Sequence, residues 1–116
     1  MIYEQLFNWA IKIGSNIVNN ERMYDKKTGR DLLRLLIFDL RAEETPGHFL
    51  EKLSKRLMEY KTNTNIQADV GIHPEIMKRD WHADSFYYMK AAVLTGFLNV
   101  LSSAKNTEEG DEKNES

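Results

Sequence analysis

Residues 27–43 read KTGRDLLRLLIFDLRAE, and this stretch decides the fold. At about 100° per residue, three cations of a helix lie close to Arg30 in angle. Measured from Arg30, the angles are about 40° for Arg34, 20° for Arg41 and 60° for Lys27. We call these four residues the cation row. The residues between them are apolar, namely Leu32, Leu33, Leu35, Leu36, Phe38 and Leu40. The stretch therefore predicts a helix with a buried apolar side and a line of cations on the other.

The apolar part of this helix is broader than a surface helix packed on one side requires. We therefore expect the helix to lie centrally, in contact with several others. Three-and-four spacing of apolar residues predicts a first helix over Ile2–Val18. Thr45-Pro46 supplies a capping hydroxyl with proline at the first helical position, which predicts a further helix that runs to Tyr60.

Polar segments separate these helices. Residues 21–29 and 61–71 are typical of loops, and 66–72 is the one stretch that resembles an edge strand. His73-Pro74 then opens a short helix that ends at Met77 or Arg79. These signals indicate short connections and one long loop in the middle of the chain.

The last predicted helix is long. Asp84 or Ser85 caps it, and it runs to about Ala104. Ala92 and Gly96 are small residues four apart, which allows another helix to approach closely. Residues 105–116 are charged and contain no apolar residue, so we predict a disordered acidic tail.

Length and composition fit this outline. The 116 residues predict one all-α domain, a single bundle of four to five helices over 1–104 that precedes the tail at 105–116. The absence of cysteine excludes a disulfide framework and favours the reducing cytoplasm. No stretch has the roughly 18 apolar residues of a membrane helix, and the N-terminus lacks the features of a signal peptide.

Charge is distributed unevenly. The formal net charge is −2, but five acids and two lysines lie in the tail, and the first 104 residues hold fourteen cations and thirteen acids. The bundle is therefore near neutral with local basic faces. An aligned row of cations can contact a phosphate backbone. The alternative is a solvated helix face, since Asp31 and Asp39 lie nearby and Ile37 interrupts the row.

A second group of cations, which we call the lysine patch, comprises Lys52, Lys55 and Arg56. Glu51 and Glu59 are ion-pair partners at helical spacing, which favours a solvated face, whereas proximity to the cation row would favour phosphate contacts. We add these three cations, together with Lys90, to the four of the cation row as predicted nucleic-acid-binding residues.

Tyr87 and Tyr88 are adjacent, so they cannot both face the core of a helical bundle. An exposed tyrosine beside Lys90 is suited to stacking on a base, and equally to anchoring a protein partner. Either use requires that the side chain lie on the surface of the last helix. The sequence leaves both uses open.

Histidines and acids near the start of the last helix suggest a metal site only weakly. Asp80, His82 and Asp84 would need His73 or His48 as a further ligand. Helix capping and surface exposure explain the same residues. We therefore predict no metal, no cofactor and no catalytic group, since no nucleophile–base grouping or phosphate-binding glycine loop is present.

Two stretches carry a family likeness: RDLLRLLIFDLR at 30–41 with ETPGHFLEKL at 44–53, and DSFYYMKAAVLTGFLNVL at 84–101. Together they resemble the small helical subunit of class 1, Cascade-type CRISPR interference complexes. They are also similar to the equivalent helical C-terminal module of the large subunit. The likeness extends over 2–103, through helical patterns without a catalytic signature.

The resemblance implies an all-α, non-catalytic subunit of an RNA-guided antiviral complex in the cytoplasm. Its partners would be the other subunits, further copies of itself, the guide RNA and the target DNA. Arg30, Arg34 and Arg41 lie in the matching stretch and would contact nucleic-acid backbones. The alternatives are a helical protein-interaction module without nucleic-acid contact, and a metal-dependent enzyme that uses His73, His82 and Asp84.

Overall fold

The computed structural model describes residues 1–19, 26–63 and 71–115. It contains the helices α1 (Ile2–Val18), α2 (Lys26–Arg41), α3 (Pro46–Asn63), α4 (Pro74–Lys78) and α5 (Ala83–Glu115). No strand occurs within these ranges, so the predicted all-α bundle is confirmed. Residues 21–25 and 64–70 of the predicted loops, and most of the edge-strand prediction, fall outside the described residues, whereas residues 61–63 belong to α3, which continues beyond its predicted end at Tyr60.

The helix bounds follow local signals closely, with one correction. α1 has the predicted bounds, and α3 begins at Pro46 behind Thr45, whose Oγ1 accepts a hydrogen bond from the His48 N–H at 3.3 Å. The prediction of a loop through Gly29 is wrong, because α2 begins at Lys26. Gly29 is buried, and packing at this position outweighs the roughly 1 kcal/mol that glycine costs in a helix interior.

One apolar core joins all five helices. Its buried members are Leu6, Ala10, Ile13, Ile17, Val18, Leu33, Leu36, Ile37, Leu40, Phe49, Leu53, Leu57, Tyr60, Ile76, Phe86, Met89, Val93, Phe97 and Val100. The rings of Phe49 and Phe86 meet edge to face with centroids 5.6 Å apart, and thereby link α3 to α5. No polar or charged side chain of the described residues is fully buried.

The most extensive interhelical contact is between α1 and α5, and glycine makes it possible. A Cβ atom on Gly96 would lie 2.6 Å from Ala10 Cβ and 2.7 Å from the backbone oxygen of Phe7. The predicted close approach at Gly96 is therefore confirmed, and the helix that fills it is α1 of the same chain. This position is consequently not open to a partner protein.

The position of α2 confirms one expectation and corrects another. As predicted, α2 lies centrally and contacts α1, α3 and α5. However, Leu35 and Phe38, which we expected on its buried side, are 59% and 73% exposed. The buried residues Leu33, Leu36, Ile37 and Leu40 occupy an arc of about 100°, and Leu35 and Phe38 lie roughly opposite its centre.

The start of α5 also differs slightly from its prediction. The helix begins at Ala83, two or three residues earlier than a cap at Asp84 or Ser85 requires. Ser85 instead reaches back, and its Oγ accepts a hydrogen bond from the backbone N–H of His82 at 2.9 Å. At the other end α5 is assigned as helix through Glu115. The backbone at 105–115 therefore lies within α5, whereas the side chains beyond Ser103 lie outside the described part.

None of the helices within the described ranges has the length and apolar character needed to cross a bilayer.

Candidate nucleic-acid interface

The cation row lies along one flank of α2, and α3 packs against the opposite flank. On the α3 side, Arg56 Nε donates to Asp39 Oδ2 at 2.7 Å, and the Tyr60 hydroxyl donates to the backbone oxygen of Leu32 at 2.9 Å. At about 100° per residue, Arg34 and Arg41 lie about 140° to 180° from those α3-facing positions. The row and α3 are therefore on different sides of α2.

The members of the cation row differ in exposure. Arg34 and Arg41 are exposed, whereas Arg30 is half-buried and its Nε is covered. The side chain of Lys27 lies outside the described part of the chain. Two guanidinium groups, about 10 Å apart along the helix axis, are thus freely accessible to a ligand, with Arg30 one turn further along.

Two acids of α2 could neutralise the row, and only one of them reaches it. Asp31 Oδ1 pairs with Arg34 NH1 at 2.7 Å, but both side chains are about half exposed, so the pair is weak. Asp39 is directed to Arg56 on α3 and does not reach the row. Arg41 has no ion-pair partner among the described residues. The row therefore keeps most of its positive charge.

An aromatic ring lies within the row, and the sequence analysis missed it. Phe38 follows Arg34 by four residues and precedes Arg41 by three, so it lies about 40° and 60° from them around the helix. Its 73% exposure is the largest of any described aromatic side chain. The available signal was the width of the apolar stripe, which exceeds what one buried side can hold.

Lys90, which was predicted to contact nucleic acid, instead has a structural role. Its Nζ donates to the backbone oxygens of Arg41 at 2.8 Å and Glu43 at 2.6 Å. These carbonyls belong to the C-terminal end of α2, where backbone acceptors have no partner within the helix. Lys90 therefore fastens α5 to the end of α2, and two of its three N–H groups are already engaged.

Both tyrosines beside Lys90 are exposed. Tyr87 and Tyr88 are 68% and 57% exposed, and their rings meet with centroids 5.8 Å apart. Tyr88 also lies 5.8 Å from the ring of Tyr3 on α1. Tyr87 is thus on the α2 side of α5, because it precedes Lys90 by three residues, and Tyr88 is on the α1 side.

The lysine patch on α3 is largely neutralised. Arg56 bonds to Asp39 and, through NH1, to Glu59 Oε2 at 3.0 Å. The pKa of Arg56 is raised, mainly by its hydrogen bond to Glu59; burial opposes this, and the charge of Asp39 adds to the increase. Lys52 and Lys55 border an open hollow of about 340 Å³ that also contains Glu43, His48 and Glu51. The patch therefore offers as many acids as free cations.

The residues of the weak metal hypothesis do not converge. The Nδ1 of His73 accepts a hydrogen bond from the Glu75 N–H at 3.1 Å and so caps α4. Asp80, His82 and Asp84 are exposed at the start of α5. No three histidine, aspartate or glutamate side chains of the described residues come together in a geometry that could hold a metal ion.

No protein-family model matches the chain, and no curated protein or solved structure shows significant similarity to it.

Proposed function

We propose that this chain is a non-catalytic subunit that contacts nucleic-acid backbones through the cation row on α2. The proposed setting is the one implied by the resemblance at 30–53 and 84–101: an RNA-guided CRISPR antiviral complex of the Cascade type. There the row would contact guide RNA, target DNA or the displaced strand. Other subunits and further copies of the same chain would be its partners.

One observation carries the proposal. Arg34 and Arg41 extend from the same exposed flank of a helix that Leu33, Leu36 and Leu40 fix in the core. Cations on a rigid helix do not lose the backbone entropy that cations on a loop lose when they bind. Phosphate contacts of this kind position a subunit without reading base sequence.

The modest charge of the bundle fits a role in an assembly. The two exposed arginines give about two phosphate contacts, which corresponds to weak and salt-sensitive binding by a single copy. Repetition along a strand raises the overall affinity, because each further contact becomes intramolecular. The row therefore suits a chain that binds as one of several neighbouring copies.

A protein-interaction module is the second candidate, and the exposed apolar residues favour it. Phe38, Tyr87 and Leu98 are at least half exposed on α2 and α5. Arginine, tyrosine and phenylalanine together are typical of the centre of protein interfaces, whereas lysine is depleted there. This candidate predicts a partner whose binding depends on the rings and is nearly insensitive to salt.

Fluorescence anisotropy with single-stranded DNA over a series of salt concentrations tests the proposal. At about 0.7 unit of salt slope per contact, each contact contributes roughly five-fold in affinity at 0.1 M salt. We expect Arg34→Gln/Arg41→Gln to bind about 25-fold more weakly, with a slope lower by about 1.4. Lys78→Gln/Arg79→Gln removes the same charge from α4 and serves as the matched control, with little expected change.

Two results would contradict the proposal. One is equal weakening by the two double variants, which would indicate only a general charge effect. The other is unchanged affinity in Arg34→Gln/Arg41→Gln while circular dichroism reports an intact helical fold. Salt-insensitive capture of a protein partner, lost on substitution of Phe38 or Tyr87, would favour the second candidate.

A further inference from the structure

The most exposed aromatic ring of the described residues stands inside the cation row. Phe38 is 73% exposed, with Arg34 one helical turn before it and Arg41 just under one turn after it. Neither the core nor a neighbouring helix uses this ring. Phosphate contacts alone do not require it either, since a phenyl group offers nothing to a phosphate oxygen.

We propose that Phe38 is a base-stacking residue and that the cation row takes single-stranded nucleic acid in preference to duplex. This inference rests on the proposed function and specifies its ligand. In a single strand the bases are open, so a ring between two phosphate-binding arginines can stack on one base face. Such stacking contributes roughly 5- to 150-fold in affinity per base and tolerates any base.

Duplex nucleic acid does not fit this arrangement. Its base faces are stacked on one another inside the helix, and its outer surface presents phosphates and groove edges. Against a duplex, Phe38 would meet the sugar–phosphate surface and gain little. The arginines would bind either form, so the ring is the element that distinguishes them.

The surroundings of Phe38 also favour a nucleic acid over a protein helix. A docked amphipathic helix requires a continuous apolar groove with several anchor positions. The positions one turn before and after Phe38 are Arg34 and Ala42, and Ala42 directly follows the end of α2. Leu35 lies about 60° further round the helix, towards α3. A single ring flanked by cations complements a polyanion that carries flat apolar groups, which is the chemistry of a single strand.

Two fluorescent probes of equal length separate stacking from phosphate contact. One is a 20-nucleotide oligothymidylate, and the other is an abasic strand that keeps every phosphate but carries no base. We expect the wild-type protein to bind the thymidylate strand at least five-fold more tightly than the abasic strand. Phe38→Leu should abolish that preference without weakening abasic binding, and Phe38→Tyr should retain it. Met58→Leu is the matched control, since Met58 is 63% exposed on α3.

Each other outcome overturns a definite claim. Salt-sensitive binding with no preference for thymidylate, or a preference that survives in Phe38→Leu, overturns the stacking role and leaves the phosphate contacts standing. Binding to neither strand overturns the stacking role and the proposed function together. Polyglutamate binding as tight as thymidylate binding would assign the ring to an acidic protein partner and overturn the inference.

Discussion

The two groups of cations on neighbouring helices differ in how far nearby acids neutralise them. In the cation row on α2, Arg34 has one weak, half-exposed ion pair, and Arg41 has none among the described residues. In the lysine patch on α3, Arg56 is held by two carboxylates, and the lysines share their hollow with Glu43 and Glu51. Similar sequence composition thus gives one surface that is open to an anion and one in which the arginine is paired and the two lysines lie beside two acids.

The difference comes from which side of α2 receives α3. Asp39 lies on the α3 flank, about 140° or more around the helix from Arg34 and Arg41, and there it pairs with Arg56 of α3. This contact neutralises part of the lysine patch and does not involve the row. Formal charge along the sequence does not reveal the pairing of Asp39 with Arg56, because it depends on the packing of two helices.

The largest expected effect is on the stability of the helical bundle, to which both groups of cations belong. In Gly96→Ala the new methyl group would lie 2.6 Å from Ala10 Cβ and 2.7 Å from a backbone oxygen, so α1 and α5 must separate. We expect the free energy of unfolding to fall by about 3 kcal/mol. Urea unfolding followed by circular dichroism measures it.

Gly47→Ala is the matched control for this substitution. No atom lies within 4 Å of the position that a Cβ would take on Gly47, which is in the first turn of α3. Alanine there should stabilise the protein by about 0.5 kcal/mol through its helix propensity. Equal destabilisation by both substitutions would mean that the α1–α5 contact is looser than described.

A smaller effect tests whether Lys90 belongs to either group of cations. Its bonds to the Arg41 and Glu43 carbonyls are charge-assisted and partly exposed. Lys90→Met keeps the aliphatic stem and should lower the free energy of unfolding by about 1.5 kcal/mol. We expect its salt slope for single-stranded DNA to match that of the wild-type protein. A salt slope lower by about 0.7 in Lys90→Met would show that Lys90 contacts a phosphate after all.

The next smaller effect is a stability change without a binding change. Arg56→Gln removes two part-exposed ion pairs and should cost about 1 kcal/mol in thermal or urea unfolding. The unpaired Asp39 should leave DNA affinity within two-fold of the wild-type value. Loss of affinity equal to that of the Arg34→Gln/Arg41→Gln variant would break the contrast between the two groups.

The pH dependence of this contribution has a definite sign. The pKa of Arg56 is raised in the folded protein, so its contribution to stability is fully present below the pKa of the unfolded chain and fades only as pH rises through the higher pKa of the folded state. Deprotonation of Arg56 therefore has no effect on stability between pH 5 and 9. Unfolding measured across that window in wild type and Arg56→Gln should show no alkaline loss specific to the wild type.

The smallest expected effect is on the lysine patch itself. Lys52→Gln/Lys55→Gln removes two positive charges beside Glu43 and Glu51, where they face as many acids. We expect less than a two-fold change in affinity for single-stranded DNA. A loss near 25-fold in the same anisotropy assay would show that the patch takes part in binding.

Periodicity and capping signals were sufficient for most of the fold. The bounds of α1, the start of α3 at Pro46 and the short α4 depend on local sequence, and the predictions at these places are confirmed. For α2 the local signals conflicted at 27–29: the predicted helix from residue 27 is confirmed to within one residue, and the predicted loop through Gly29 is wrong, since Gly29 is buried within the helix. The predicted division between a bundle at 1–104 and a tail stays a prediction.

The candidate site was predictable only in part. Helical spacing aligned Arg30, Arg34 and Arg41 correctly on one face of α2. The same reasoning placed Phe38 on the buried side, because an apolar stripe does not indicate where its covered part ends. The structural role of Lys90 depends on residues 47 and 49 positions away along the chain, which no local pattern contains.

The central claim is that nucleic acid binds the cation row and not the lysine patch. Chemical-shift mapping of the ¹⁵N-labelled protein, titrated with oligothymidylate, tests it most directly. We expect the largest changes in amide chemical shift around Arg34, Phe38 and Arg41. Shifts that concentrate instead around Lys52 and Arg56, with residues 30–41 unchanged, would contradict it.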